Sequence, residues 1–405
     1  MDKILLFVGR AAVVIGAVFL LFLPFIIRQG RVNSFAWKTR FLSYDNKPPR
    51  YRGKKKYNQY LRRLRFHSKI PLEDWQKNKP TLEVFFKKKI YAIKEGKNVR
   101  DTDIFLIQEQ LPRVIPWNDS YMEEGRRFSI GEGYMGKVVW DVTKLPHGLI
   151  AGASGGGKTT ILRCIVKQAI AKKWNLTIFD FKGGGDFNDV EKERAKYQDL
   201  EAGYGSLIVS DPEEARQLLL GLSIEAKGRL EKFKEVGVRD IDEYNASGKG
   251  FFVPWLVVVD EAAEILDVKP TDKAEKELYT EIDQTLRTLA RTSRAAGITL
   301  LLGFIRPSAD VLDGQIKNNL LFRCCGYFSD PGASRIVLDN DRATELPPEI
   351  KGRFIVGEDE TQAYYLPTTP RDAREGMPTP PHTGGAGGEA EREPADPPAA
   401  AGGLT

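Results

Sequence analysis

Residues 152–160 read GASGGGKTT, which meets the spacing G-x-x-x-x-G-K-[ST] at every fixed position. Few folds can host such a loop. A strand has to deliver the chain to a tight turn and a helix has to leave it, so that convergent main-chain N–H groups and the positive end of the helix face one anion. The flanks agree: LPHGLIAG before the loop has the look of a short buried strand, and ILRCIVKQAI after it that of an amphipathic helix. Gly152, Ala153, Ser154, Gly155, Gly156 and Gly157 form the cradle, and its glycines leave the backbone open where a side chain would block approach. Lys158 brings a point charge for β- and γ-phosphates. Thr159 offers a hydroxyl to Mg²⁺, and Thr160 follows in the first helical turn. These residues together imply a nucleoside triphosphate site, taken as ATP with Mg²⁺.

A second half of such a site is legible about a hundred residues on. WLVVVDE, residues 255–261, is an apolar strand ending in two carboxylates. At the carboxyl end of a strand beside the phosphate loop, Asp260 can hold Mg²⁺ and Glu261 can orient and deprotonate an attacking water. Strand-like runs recur as GLIAG, LTIFDF, SLIVSD, FFVPWLVVVD, ITLLLGFI, LLFRCCGYF and GRFIVG, and amphipathic helices such as EEARQLLLGLSIEAKGRLEKFKEV separate several of them. That alternation gives an α/β fold with a largely parallel sheet covered on both faces.

The remaining segments are set by composition. Residues 4–27 are apolar apart from Arg10, ~36 Å if helical, enough to span a hydrocarbon core of ~30 Å. This is the expected single-pass transmembrane helix; the rival is a cleaved signal peptide with a site near Ser34-Phe35-Ala36, separated from the apolar run by Arg28 and Arg31. The cations that follow the run place the bulk of the chain in the cytoplasm, at the cell membrane. Residues 31–100 hold 21 Lys/Arg against 5 Asp/Glu, and RYRGKKKYNQYLRRLRF mixes those cations with aromatic rings. Nucleic-acid phosphates and anionic headgroups both suit that mixture. Three cysteines without paired spacing fit a reducing compartment. Beyond Pro367 the chain is rich in Pro, Gly and Ala and is expected to be a disordered tail.

KLPHGLIAGASGGGKTT, GVRDIDEYN, LVVVDEAAEIL, LARTSRAAGITLLL, IRPSADVLDGQIKNNL and SRIVLD, in that order, resemble the motor domain of FtsK/SpoIIIE-type DNA translocases. With an N-terminal anchor and one motor, the chain is similar, more narrowly, to the membrane-anchored coupling ATPases of Gram-positive conjugative elements. The resemblance implies a RecA-like motor, a homo-hexameric ring around double-stranded DNA, and an arginine contributed to each ATP site by the neighbouring subunit. The residue at that position is Arg323, with Arg306 and Arg335 at other arginine positions of the pattern. The implied catalytic set is Lys158, Asp260, Glu261 and Arg323, with Thr159 and Asp260 on the metal. Relaxase and conjugation-channel proteins are the implied partners. Chromosome segregation and a type VII-like protein-export motor are the alternatives. One departure stands out: where the family has Thr-Gln before Arg-Pro, this chain has Phe304-Ile305, and isoleucine has no side-chain donor for a γ-phosphate. The expected organisation is an anchor (1–30), a basic juxtamembrane linker (31–65), a small N-terminal domain (66–127), the motor (128–366) and the tail (367–405).

Overall fold

A computed structural model describes residues 23–181, 185–187, 190 and 208–366. The expected tail, and most of the expected transmembrane run, lie outside the described residues. Among those described, no helix is long and apolar enough to cross a membrane.

Two sheets organise the chain. The first is antiparallel, in the order β1 (Arg50–Lys56), β2 (Leu61–His67), β4 (Asp101–Ile107), β3 (Ile90–Glu95). One of its faces buries Phe66 and Ile104 against Trp75 and Leu82 of the helices Leu72–Lys77 and Lys79–Phe86, and against Val32. Val32 belongs to a helix through residues 23–39. The other face carries Leu61 and Phe105 onto Tyr134; there the Asn58 side-chain amide donates to the Tyr134 carbonyl at 2.8 Å.

This corrects the linker expected over 31–65. From Arg50 on, its lysines and arginines sit on paired strands in which Tyr51, Leu64 and Phe66 point one way into a core, and Arg31 and Lys38 belong to the helix before them. The composition is basic because the alternate strand positions are solvated or ion-paired. The period of two was hidden by a bulge between Tyr51 and Gly53. The small domain therefore begins well before residue 66.

The second sheet runs β10 (Ile208–Val209), β9 (Asn175–Phe179), β11 (Trp255–Val259), β12 (Ile298–Phe304), β8 (Gly148–Ala151), β13 (Phe322–Gly326), β14 (Arg353–Val356), β15 (Asp359–Tyr365), β6 (Arg127–Gly133), β7 (Gly136–Asp141), and β5 (Ile115–Pro116) adds to β15. The strands from β10 to β13 are parallel. From β13 through β14, β15, β6 and β7 every pairing is antiparallel. The sheet is thus mixed rather than largely parallel: the stretches between β6 and β7 and between β14 and β15 are too short for a crossover, so those pairs close as hairpins. The sheet also takes residues 115–116, ahead of the boundary expected at 128.

Alternation along the parallel strands sorts the core into two layers. Leu149, Ala151, Val257 and Leu300 face the helices Pro212–Val236 and Lys273–Thr292. Ile150, Val258 and Leu301 face the helix Lys158–Ala171. Both faces are covered, so the apolar runs that signalled strands are continuous rather than alternating. All the parallel strands end on one edge, which is where the loop at 152–160 emerges.

Candidate active site

The phosphate loop leaves β8 and is pinned at its base, where the Gly152 N–H donates to the Phe304 carbonyl at 3.1 Å. Gly155 and Gly157 have φ of +75° and +102°, left-handed conformations that glycine adopts without steric cost. The Gly156 N–H closes the turn on the Ala153 carbonyl at 2.9 Å. Ala153, Ser154 and Gly155 are exposed at its crest, while Thr159 and Thr160 are half-buried in the first turn of the helix.

β11 ends beside this loop, so the two carboxylates arrive as the strand pattern implied. Lys158 is buried, with Nζ donating to the Asp260 carbonyl and lying 2.9 Å from Asp260 Oδ1 and 3.9 Å from Glu261 Oε2. The Thr159 hydroxyl donates to Asp260 Oδ1 at 3.4 Å. Asp260 and Glu261 are only 3 % and 6 % exposed, so Lys158 is the compensating cation for a buried acidic pair. A hydroxyl and a carboxylate side by side are hard oxygen donors that suit Mg²⁺, which takes one or two protein ligands with phosphates and water. Among the described residues no cluster of three His, Cys, Asp or Glu could form a metal cage.

Glu261 is aimed by the backbone. Both carboxylate oxygens accept from the Ile305 N–H, at 3.0 and 3.1 Å. The side chain at 305 is apolar, but its amide holds the base in place. Three further residues escaped the sequence reading. Gly303 lies under the site: a Cβ there would fall 2.2 Å from the Asp260 carbonyl oxygen and 3.1 Å from Lys158 Nζ. Gly352 braces the loop from behind, its N–H donating to the Gly156 carbonyl at 2.9 Å. Asp180, buried at the end of β9, comes beside Asp260 because Phe179 pairs with Val259. The first two are visible in sequence only as glycines in strand-like runs.

Gly303→Ala is expected to lower the unfolding midpoint by an amount equivalent to ~1–3 kcal/mol, the usual cost of overpacking, and to weaken ATP binding by displacing Lys158. Thermal unfolding with and without ATP measures both.

Arg323 does not join this cluster. It sits opposite Leu149, near the amino end of β13, and pairs with Asp339 at 2.5 Å; Lys317 reaches the same carboxylate at 2.6 Å. Those two cations hold the Asp339 carboxyl below its ordinary pKa, Lys317 first. Arg335 pairs with Asp341 at 3.3 Å. Arg306 is exposed just past β12, next to Ile305 in sequence. His147, one of three histidines, and the thiols are structural. His147 Nδ1 accepts from the Leu300 N–H at 3.0 Å, and burial pushes its pKa down to about 4. All three cysteines are buried and free, with burial pushing Cys164 and Cys325 up to about 12.

Residues 126–253 match the model of the FtsK/SpoIIIE family. The chain is 34 % identical over 218 residues to the DNA translocase SftA of Bacillus subtilis (strain 168), covering 52 % of this chain and 21 % of that protein. It thus spans only a small part of such curated relatives. Among solved structures, the pCW3 conjugation coupling protein TcpA, in a monomer form with ATPgS, is 33 % identical with a TM-score of 0.60. That match covers 84 % of this chain and 95 % of the other. EssC ATPases 2 and 3 from Geobacillus thermodenitrificans share the fold, at 18 % identity and a TM-score of 0.51 over 66 % of this chain and 50 % of that one.

Proposed function

The chain belongs to the FtsK/SpoIIIE family, and on that premise we propose that it is a membrane-anchored ATPase that drives double-stranded DNA, serving as the coupling ATPase of a conjugation channel. The observation that carries the activity is the cluster of buried Lys158, Asp260 and Glu261 with half-buried Thr159 at the mouth of the phosphate loop. Likeness to TcpA along almost its whole length supports the conjugative role over chromosome segregation. The EssC likeness is one of fold alone, so protein export has less support.

In this mechanism the loop amides and Lys158 hold the triphosphate, with Lys158 turning from Asp260 to the β- and γ-phosphates. Thr159 and Asp260 would hold Mg²⁺, which would supply positive charge to the phosphates. Glu261, oriented by the Ile305 amide, accepts the proton of the attacking water. ATP turnover of the full chain in detergent is the test. Duplex DNA should raise it several-fold; turnover indifferent to DNA would count against a DNA motor.

The anchor is the apolar run of residues 4–27, with the motor cytoplasmic as the following cations require. Resistance of the full chain to alkaline extraction from membranes tests it; release into the wash would remove the anchor. Relaxase and channel proteins are the partners this role needs.

Assembly as a hexamer places Arg323 at a neighbour's site. The Asp339 carboxylate that holds it is 66 % exposed, so the pair is weak enough to exchange for a phosphate. Mixing Arg323→Ala with Glu261→Gln subunits should recover part of the lost turnover, since one interface in a mixed ring then joins an intact base to an intact arginine. If mixed rings form and stay as inactive as either parent, the arginine acting in trans is not Arg323.

A further inference from the structure

The basic segment is not one surface. On β2, Arg63 and Arg65 turn to the Leu61 face, where Asp103 takes Arg65 in two hydrogen bonds of 2.7 and 2.6 Å and lies 3.6 Å from Arg63. Their charge is answered within the domain. Arg62 turns to the opposite face, paired with Lys56 and two pairs along from Lys54.

That second face holds a cavity of about 280 Å³ between the small sheet, the helix Lys79–Phe86 and the helix through residues 23–39. Its rim carries Arg28, Arg31, Lys54, Arg62 and Lys88; its floor is apolar, including Leu64, Phe66, Phe85 and Leu106. No carboxylate lines it, and all five rim cations are exposed and form no ion pair among the described residues. Among the described residues, the Arg28 side chain donates to the phenol oxygen of Tyr51, at 3.3 Å. Phe25, Ile26 and Ile27, one turn before Arg28, are 38 %, 50 % and 54 % exposed.

We propose that this groove binds an anionic phospholipid, with the phosphate among the rim cations and the first part of an acyl chain on the floor. Five like charges around one cavity repel each other until an anion joins them. A cationic rim alone would also suit DNA, but the sugar-phosphate backbone has nothing to lay on a floor of leucine and phenylalanine. A phospholipid satisfies both halves. Position agrees, since the groove mouth adjoins exposed apolar side chains that continue the run of residues 4–27, and cytoplasmic leaflets are anionic. The site rests on the membrane reading above, but it is tested without a bilayer.

The full chain, purified in detergent, is titrated with phosphatidylglycerol, phosphatidylcholine, glycerol phosphate and a short DNA duplex, and bound species are followed by native mass spectrometry. The wild type should retain phosphatidylglycerol about tenfold better than phosphatidylcholine or glycerol phosphate. The variant Arg31→Gln/Arg62→Gln/Lys88→Gln should lose that preference while keeping wild-type ATP turnover, since all three side chains are exposed. Equal retention of phosphatidylglycerol by variant and wild type would overturn the site. Glycerol phosphate binding as tightly as the lipid would make it a plain anion site, and loss of duplex binding with lipid retention intact would make it a DNA surface; either overturns the proposal. Extraction of the chain from membranes without detergent, with lipid preference preserved, would instead fault the anchor and leave the groove standing.

Discussion

Lys158→Ala is expected to cut ATP turnover at least ~10²-fold, the loss seen on removing one preorganised group that stabilises transition-state charge. Two effects add. The phosphates lose their point charge, and Asp260 and Glu261, 3 % and 6 % exposed, lose the cation that compensates them. Breaking a buried pair on one side costs ~3–5 kcal/mol, so the variant should also unfold at a markedly lower temperature. Lys158→Met refills the space without restoring charge, so it should recover the packing contribution alone and leave both the acidic pair uncompensated and turnover lost. Near-normal turnover by a folded Lys158→Ala protein would sink the ATPase assignment.

Glu261→Gln should give the opposite pattern, with hydrolysis down by ~10²–10⁴-fold and nucleotide still bound. The amide keeps an oxygen to accept from the Ile305 N–H, a bond now made at 3.0 and 3.1 Å to the two carboxylate oxygens, yet it cannot take a proton from water. Losing one negative charge 3.9 Å from Lys158 should, if anything, tighten binding of the anionic nucleotide. Single-turnover hydrolysis alongside equilibrium nucleotide binding measures both. Parallel loss of binding and turnover would mean that Glu261 holds the fold together instead.

The departure at Ile305 shows where residue-by-residue reading stopped. Seen as a side chain, isoleucine in place of glutamine removes a polar group from the site. Seen as a main-chain position at the end of β12, it supplies the N–H that aims the base. Every non-proline residue carries that N–H, so no residue type could have signalled it. The basic segment was misread for a related reason. Its composition is uniform, but Arg65 and Arg62 point to opposite faces because a strand alternates, and only Asp103, 38 residues beyond Arg65, decides which charges are already answered.

What short-range chain geometry dictates can be read from the residues alone. A loop of the form GASGGGKTT can cradle phosphates through its own backbone, and an apolar strand ending in Asp260-Glu261 must put two carboxylates at one edge of a buried sheet. Seven strand-like runs followed from continuous apolar stretches, and the long helix over 213–236 from amphipathic periodicity, for the same reason. Tertiary structure decided everything that depends on which distant segments meet. The antiparallel half of the large sheet, the Gly352 brace behind the phosphate loop, the clearance at Gly303 and the pairing of Arg323 with Asp339 are of this kind. Each joins groups whose separation along the chain carries no local pattern, so their meeting is fixed only when the sheets and helices pack together.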